Sequence, residues 1–296
     1  MTAAGGFFAS VNGAVLPAEE ARVSVLDTGF TFGDSVYETL RTYGGRPFHL
    51  DRHLARLRAS AGRLGIAVPD GDSVFLRDVD AVLARAANPE SYIRIMLTRG
   101  VGDVSYHFDR VQGPTRVVIV KPYEPLPERC YSEGVLVVIA SVRRNSPRAL
   151  DPAIKSGNLL NNILAVREAQ AAGAFEPILL NDMGEVAEGA SANVFVVKDG
   201  AVRTPPLGAG ILAGVTRQVL LEIGRDLGIP MREETLTPAD LLASDEAFIT
   251  STLKEATPVR AIDGKPVGNG RPGPVTLRLL KAYREYAARQ AAAPPR

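Results

Sequence analysis

Lys155 is the residue of this sequence with the clearest chemical potential. It lies in the segment DPAIKSGNLLNNILAVREAQ, directly before a run with leucine and isoleucine at helical spacing. A cation is disfavoured at the start of a helix, and the same positive field, together with apolar surroundings, lowers the pKa of an amine. Only about four in ten thousand free lysine side chains are neutral at pH 7, so a nucleophilic lysine needs such a place. Lys155 is therefore a candidate Schiff-base lysine, with an ordinary solvated lysine as the alternative.

A Schiff-base lysine suggests pyridoxal phosphate, which needs a carboxylate for its pyridinium nitrogen and a site for its phosphate. Glu188, in EVAEGASANVF, ends a strand-like segment before small residues that a flat ring could approach, although a turn carboxylate has the same pattern. The segment GILAGVTRQVLLEIG predicts a helix whose first N–H groups, those of Val215 and Thr216, form an anion site. Hydroxyls follow a strand at Ser251 and Thr252, where an ordinary turn is the alternative.

The elements that must position these residues are mixed along the chain. The spacing predicts a helix over 50–64 and strands in ARVSVL, SYIRIML, TRVVIVK, GVLVVIAS and EAFITS. Because strands and helices do not alternate strictly, we expect an α+β fold with mixed sheets. The proline-rich segment PYEPLPER predicts a linker, so the expected division is an N-terminal domain at 1–121, a linker at 122–132 and a C-terminal domain with the lysine at 133–296.

Composition excludes several other classes of function. The net charge of +1, with both signs interspersed, offers no basic stripe for nucleic acid. The single cysteine, Cys130, rules out a disulfide framework, and the three histidines form no spaced metal pair, so we expect no metal. With no apolar segment of the length that spans a membrane and no signal-like N-terminus, we expect a soluble, cytoplasmic protein without a membrane partner.

Six segments in this order are similar to those of a known family: FGDSVYETLRTYGG, HLARLRAS, IKSGNLLNNILA, EVAEGASANVFVVKDG, LAGVTR and TSTLKEATPV. From about Val11 to Tyr283 the chain resembles the class IV aminotransferases, which include branched-chain aminotransferases, D-amino-acid transaminases and aminodeoxychorismate lyases. The resemblance implies the two-domain fold-type-IV architecture, with mixed sheets and flanking helices, the cofactor between the domains, and a homodimer that completes the substrate pocket.

The resemblance also implies a role for each candidate residue. Lys155 would hold the cofactor through an imine and then move the proton between the substrate α-carbon and the cofactor. Glu188 would pair with the pyridinium nitrogen. Arg56, in HLARL, would bind the phosphate, with a surface arginine as the alternative. The remaining phosphate contacts would come from the first turn of a helix and from a hydroxyl turn, namely Val215, Thr216, Ser251 and Thr252.

The substrate is indicated less clearly. Tyr92 and Arg94 share one face of a strand, as in the YIRP-like motif of branched-chain enzymes, and would hold an apolar side chain in one turnover and the distal carboxylate of glutamate in the next. D-amino-acid transaminases carry an Arg-x-His pair where this chain has Val104 and Tyr106. Tyr37, however, matches the D-specific enzymes, where branched-chain members usually have phenylalanine.

We therefore predict a transaminase for branched-chain or other aliphatic L-amino acids with 2-oxoglutarate, and Leu253 is a further candidate substrate contact. A D-amino-acid or (R)-amine transaminase and a 4-amino-4-deoxychorismate lyase are the alternatives. A non-catalytic binding protein of the same fold is a third, although a binder needs no lysine of this kind.

Overall fold

The computed structural model describes residues 6–69 and 71–292, which form two compact units. The first unit contains the described residues up to Glu124, the segment Ile154–Asn158 and the residues from Ala287 onward. The second contains Pro125–Ala153 and Leu159–Tyr286. The predicted division at 122–132 stays a prediction, and it differs from these units in the two segments that return to the first one. Lys155 lies in the first of these segments.

Over its described residues, the first unit is built on a six-stranded antiparallel sheet in the order β2-β1-β6-β5-β3-β4. Its strands are Phe8–Val11 (β1), Ala14–Pro17 (β2), Ser35–Tyr43 (β3), Arg46–Pro47 (β4), Ser91–Thr98 (β5) and Thr115–Pro122 (β6). Its helices are Thr28–Phe32 (α1), Leu50–Leu64 (α2) and Ser73–Ala86 (α3). Because side chains alternate along β3 and β5, one face of the sheet contributes apolar side chains such as Leu40 and Ile93 to a core that α2 completes with Leu57.

Two predictions for this unit had opposite outcomes. The predicted helix is α2, with Leu54, Leu57 and Ala61 buried, and it ends at Gly65 in the left-handed conformation. The predicted strand ARVSVL is wrong, because residues 21–26 form a loop and a turn. No strand pairs with this segment in the described part of the chain, and Val25 is exposed.

The second unit is built on a nine-stranded mixed sheet, counted over the described residues, in the order β12-β11-β10-β13-β14-β7-β8-β9 with β15 beside β14. Its strands are Val135–Ile139 (β7), Glu176–Leu180 (β8), Val186–Gly189 (β9), Asn193–Lys198 (β10), Ala201–Thr204 (β11), Met231–Glu233 (β12), Glu246–Ser251 (β13), Glu255–Ile262 (β14) and Lys265–Pro266 (β15). The pairs β7–β8, β7–β14 and β11–β12 are parallel and the others antiparallel. The predicted α+β fold with mixed sheets is confirmed.

The helices of the second unit are Arg129–Ser132 (α4), Leu160–Ala171 (α5), Val215–Asp226 (α6), Pro238–Leu242 (α7) and the start of Pro274–Ala292 (α8). Its core combines both faces of strands such as β10, every residue of which except Lys198 is buried. Among the helices described, none has the length and apolarity needed to cross a membrane.

Candidate active site

Lys155 is held at the edge of the first unit's sheet by backbone pairing. Strand β4 pairs only with the last two residues of β3, and the first residues of β3 pair on the same edge with the segment around Lys155. The Tyr37 N–H donates to the Lys155 carbonyl at 3.0 Å, and the Gly157 N–H donates to the Ser35 carbonyl at 2.8 Å. The Lys155 N–H in turn donates to the Ser60 hydroxyl on α2 at 3.1 Å. The main chain of Lys155 is therefore fixed on both sides.

The prediction that Lys155 stands directly before a helix was wrong. Helix α5 begins at Leu160, with Leu159 as its N-cap. Ser156 and Gly157 pair with β3 and are not helical, so Lys155 lies outside the first turn of α5, where the helix dipole would act on it. The neighbour that the structure provides is instead the ring of Tyr37, whose centroid lies 4.4 Å from Lys155 Nζ.

The structure brings Tyr37, Arg94 and Lys155 together. Arg94 on β5 lies opposite Thr39 on β3, and its guanidinium carbon is 4.1 Å from the Tyr37 ring centroid. Tyr92, two residues before Arg94, shares its half-buried face of the sheet, on the side opposite the core. Two cations thus contact one phenol ring, a geometry that is attractive for each of them.

Arg56 belongs to a buried cluster with Glu38 and His53. Arg56 Nε and Nη2 donate to the two carboxylate oxygens of Glu38, each at 2.7 Å, and His53 Nδ1 lies 2.7 Å from Oε2. Glu38 and His53 are completely buried. The predicted phosphate arginine is therefore held by Glu38, which His53 contacts in turn. Neither Glu38 nor His53 was predicted, although both lie in segments used for the family resemblance.

The protonation states in this cluster follow from burial and charge. Burial alone would raise the pKa of Glu38, but the opposing effects of Arg56 and His53 outweigh it and lower that pKa from 4.5 to about 2. Burial lowers the pKa of His53 below 6.5 despite the attraction of Glu38. At neutral pH the cluster is thus a carboxylate, a guanidinium and a neutral imidazole.

In the second unit, Glu188 at the end of β9 accepts bonds from three residues. Arg144 Nε and Nη2 each lie 3.0 Å from Oε1, while Asn193 Nδ2 and the Leu212 N–H donate to Oε2 at 3.1 and 3.0 Å. Arg144 and Asn193 were not predicted, and no local pattern in the sequence marks them. These four donors match the four lone-pair positions of a carboxylate, so a further donor such as a ring nitrogen would have to share an oxygen with one of them.

The predicted anion site also lies in the second unit. Helix α6 begins at Val215, and its N-cap, Gly214, makes no side-chain capping bond. The hydroxyls of Thr216 and Thr252 are 3.4 Å apart, and both residues are buried. Ser251 ends β13, and Thr252 and Leu253 form the turn that leads to β14. The start of α6 and this turn are therefore neighbours.

These groups fit the demands of pyridoxal phosphate. The first N–H groups of a helix have no acceptor within it, and the two buried hydroxyls beside them add donors for a phosphate. Asn193 bonds both to Glu188 and to the Leu212 carbonyl, so the carboxylate is tied to the loop that leads into α6.

Among the described residues there is no cluster of His, Cys, Asp and Glu that could hold a metal ion.

The chain is similar to known aminotransferases over most of its length. A family model described as amino-transferase class IV matches residues 35–262. A D-alanine aminotransferase of Bacillus licheniformis is 35% identical over 271 residues, which cover 92% of this chain and 94% of that protein. A branched-chain-amino-acid aminotransferase of Salmonella typhimurium is 34% identical over 280 residues, which cover 92% of this chain and 90% of that protein.

A solved structure extends this similarity to the fold. The branched-chain amino acid aminotransferase of Escherichia coli has a TM-score of 0.90 at 31% identity, covering 95% of this chain and 94% of that one. The similarity therefore includes both units described above and the segments that carry the candidate residues. The chain belongs to the class IV aminotransferase family and is an enzyme that transfers amino groups.

Proposed function

We propose that this enzyme uses pyridoxal phosphate to exchange amino groups between branched-chain or other aliphatic L-amino acids and 2-oxoglutarate. The observation that carries the substrate assignment is the half-buried sheet face of the first unit, which bears Tyr37, Tyr92 and Arg94, with Lys155 beside the Tyr37 ring. An aliphatic side chain needs an apolar surface, and the distal carboxylate of glutamate needs a cation. A guanidinium stacked on a phenol ring offers both within a few ångströms.

Lys155 is the residue that acts on the substrate. Pyridoxal phosphate supplies an electron sink that stabilises negative charge at the substrate α-carbon. Lys155 Nζ would carry the proton from that carbon to the cofactor in the first half-reaction and in the reverse direction in the second. Backbone bonds to β3 and to Ser60 hold the lysine main chain, so only its flexible side chain has to move.

The other candidate residues bind and orient the cofactor. Glu188 would accept a hydrogen bond from the protonated ring nitrogen, and its bonds to Arg144 and Asn193 prevent the carboxylate from turning away. The phosphate is met by the Val215 and Thr216 amides, by the hydroxyls of the first turn of α6 and of the β13–β14 turn, and by Arg56. Ser251 and Leu253 flank Thr252 in the β13–β14 turn, and Leu253 is the proposed substrate contact of this turn.

One observation favours a second candidate function, the transamination of D-amino acids. Tyr37 matches the D-specific enzymes, and a D-alanine aminotransferase is 35% identical to this chain, although a relative named for branched-chain amino acids is 39% identical. Val104 and Tyr106 oppose this assignment, because neither offers a charge for a substrate carboxylate. The relatives reported above are named as aminotransferases, which favours transamination over lyase chemistry.

Half-reactions distinguish these candidates. The purified yellow holoenzyme is mixed separately with L-leucine, D-alanine and (R)-1-phenylethylamine, and the loss of cofactor absorbance near its visible maximum is followed. We expect L-leucine to bleach the cofactor and 2-oxoglutarate to restore it. Lys155→Ala is the control and should show no such cycle. Bleaching by D-alanine alone would refute the branched-chain assignment.

We also propose that the enzyme is a homodimer located in the cytoplasm. Three apolar side chains of α5 are exposed, Leu160 at 68%, Ile163 at 58% and Leu164 at 45%, and such a cluster is typical of an interface. Light scattering coupled to size-exclusion chromatography tests the dimer. The location rests on the single cysteine, Cys130, which suits a reducing compartment, and microscopy of a tagged chain in its native cell tests it.

A further inference from the structure

A buried carboxylate holds Arg56 and a buried imidazole contacts that carboxylate, and neither group belongs to the reaction described above. Glu38 lies on β3, on the core-facing side of the sheet, and His53 and Arg56 lie three residues apart on α2. Residues at this spacing share one face of a helix, so both side chains reach the same carboxylate. We propose that Glu38 and His53 are positioning residues for the cofactor phosphate, which they serve by fixing the Arg56 guanidinium. This inference rests on the proposed function.

The geometry of the Arg56–Glu38 pair supports positioning. The two bonds of 2.7 Å join one edge of the guanidinium to both oxygens of Glu38, so the plane of the group cannot rotate without breaking one of them. An arginine has five N–H groups arranged as a fork, and one held along one edge can meet an anion along another. A fixed fork loses less conformational entropy on binding than a mobile one.

His53 supports the carboxylate rather than the guanidinium. Its Nδ1 is 2.7 Å from Glu38 Oε2, and in the neutral imidazole this nitrogen must carry the proton. His53 Nε2 is buried without a hydrogen-bond partner among the described residues. A histidine needed only to fill the core would be expected to satisfy both nitrogens or to be replaced by an apolar side chain, because an unsatisfied buried polar atom costs free energy.

The test separates the phosphate from the rest of the cofactor. Pyridoxal phosphate and pyridoxal, which lacks the phosphate, are titrated into the apoenzyme and the two Kd values are measured by absorbance. The ratio of the Kd for pyridoxal to the Kd for pyridoxal phosphate reports the contribution of the phosphate alone. In Glu38→Gln the amide N–H₂ opposes one N–H of Arg56, so we expect the ratio to fall by about tenfold or more while the Kd for pyridoxal changes by less than about threefold.

Three further variants make the test specific. Asp78→Asn breaks another ion pair of the same unit, with Arg116, and should leave the ratio unchanged. His53→Asn can still donate from the place of Nδ1 and should keep the ratio, whereas His53→Leu should lower it. In an Arg56→Lys background, where the fork is already lost, Glu38→Gln should change the ratio little further.

The outcomes distinguish this inference from the proposed function. If the native apoenzyme binds neither compound, the proposed function fails. If it binds pyridoxal phosphate more tightly than pyridoxal and Glu38→Gln leaves that ratio intact, only the positioning role is overturned. An equal loss of affinity for both compounds overturns it as well, because it shows a general disturbance near Lys155.

Discussion

Acid should destabilise the folded enzyme through Glu38 over a defined range of pH. The pKa of this carboxyl is lowered from 4.5 to about 2 in the folded protein, so it stabilises the fold fully above pH 4.5, and this contribution is lost as the pH falls towards 2. At about 1.4 kcal/mol for each pH unit between the two pKa values, the whole contribution is about 3 kcal/mol. About 2 kcal/mol of it should disappear between pH 5 and pH 3.

His53 adds a separate loss at higher pH. Its pKa is lowered from 6.5 in the fold, so the unfolded chain takes up a proton at this residue before the folded chain does. The free energy of unfolding should therefore fall as the pH drops below 6.5, by at most about 1.4 kcal/mol per pH unit. The loss from His53 begins at a higher pH than the loss from Glu38, because the unfolded pKa values are 6.5 and 4.5.

Urea unfolding of the apoenzyme at half-unit steps from pH 7 to pH 3 tests both statements. Other carboxylates titrate in the same range, so the quantity of interest is the difference between native protein and variant. Glu38→Gln should flatten the curve between pH 5 and pH 3, and His53→Asn should flatten it below pH 6.5. A Glu38→Gln curve parallel to the native one would refute the assignment of this pKa.

Three shorter predictions concern the second unit. Gly214→Ala should raise the Kd for pyridoxal phosphate by about tenfold, because a Cβ at this position would overlap the Asn193 amide that holds Glu188. The backbone itself, with φ of −66°, tolerates alanine. Titration with the cofactor measures this Kd. Arg144→Gln should lower the free energy of unfolding by about 3 kcal/mol, because it leaves the buried Glu188 charge without its ion pair. Urea unfolding measures this loss, and a loss below about 0.5 kcal/mol would contradict the prediction. Ile163→Asp should shift the enzyme towards the monomer, because it places a charge on the exposed apolar face of α5; light scattering measures it.

The sequence was most informative where a property depends on neighbours along the chain. The period of apolar residues marks α2, which begins at Leu50 and ends at Leu64 as expected. The alternation in SYIRIML places Tyr92 and Arg94 on one face of β5. The same local reasoning failed for ARVSVL, because a strand also needs a partner and the sequence does not show whether one is available.

Contacts between distant residues could not be predicted from the sequence alone. Glu38 meets His53 and Arg56 across 15 and 18 residues, and Arg144 meets Glu188 across 44. Each of these pairs is formed only when strands and helices from separate parts of the chain pack together. No pattern within one strand or helix shows which distant residues will pair, although the sequence does show that charged residues are present.

Lys155 shows the division most clearly. The segment around Lys155, and the order of Lys155, Glu188 and the hydroxyl turn along the chain, were sufficient to indicate an amine that forms an imine in a class IV aminotransferase. The helix dipole expected to act on it is absent from its immediate surroundings, since α5 begins at Leu160. What holds and surrounds the lysine is the backbone of β3 and the ring of Tyr37, far earlier in the chain. A chain's chemistry can be read from its residue types, but the place where a side chain acts depends on backbone pairing that only the folded structure forms.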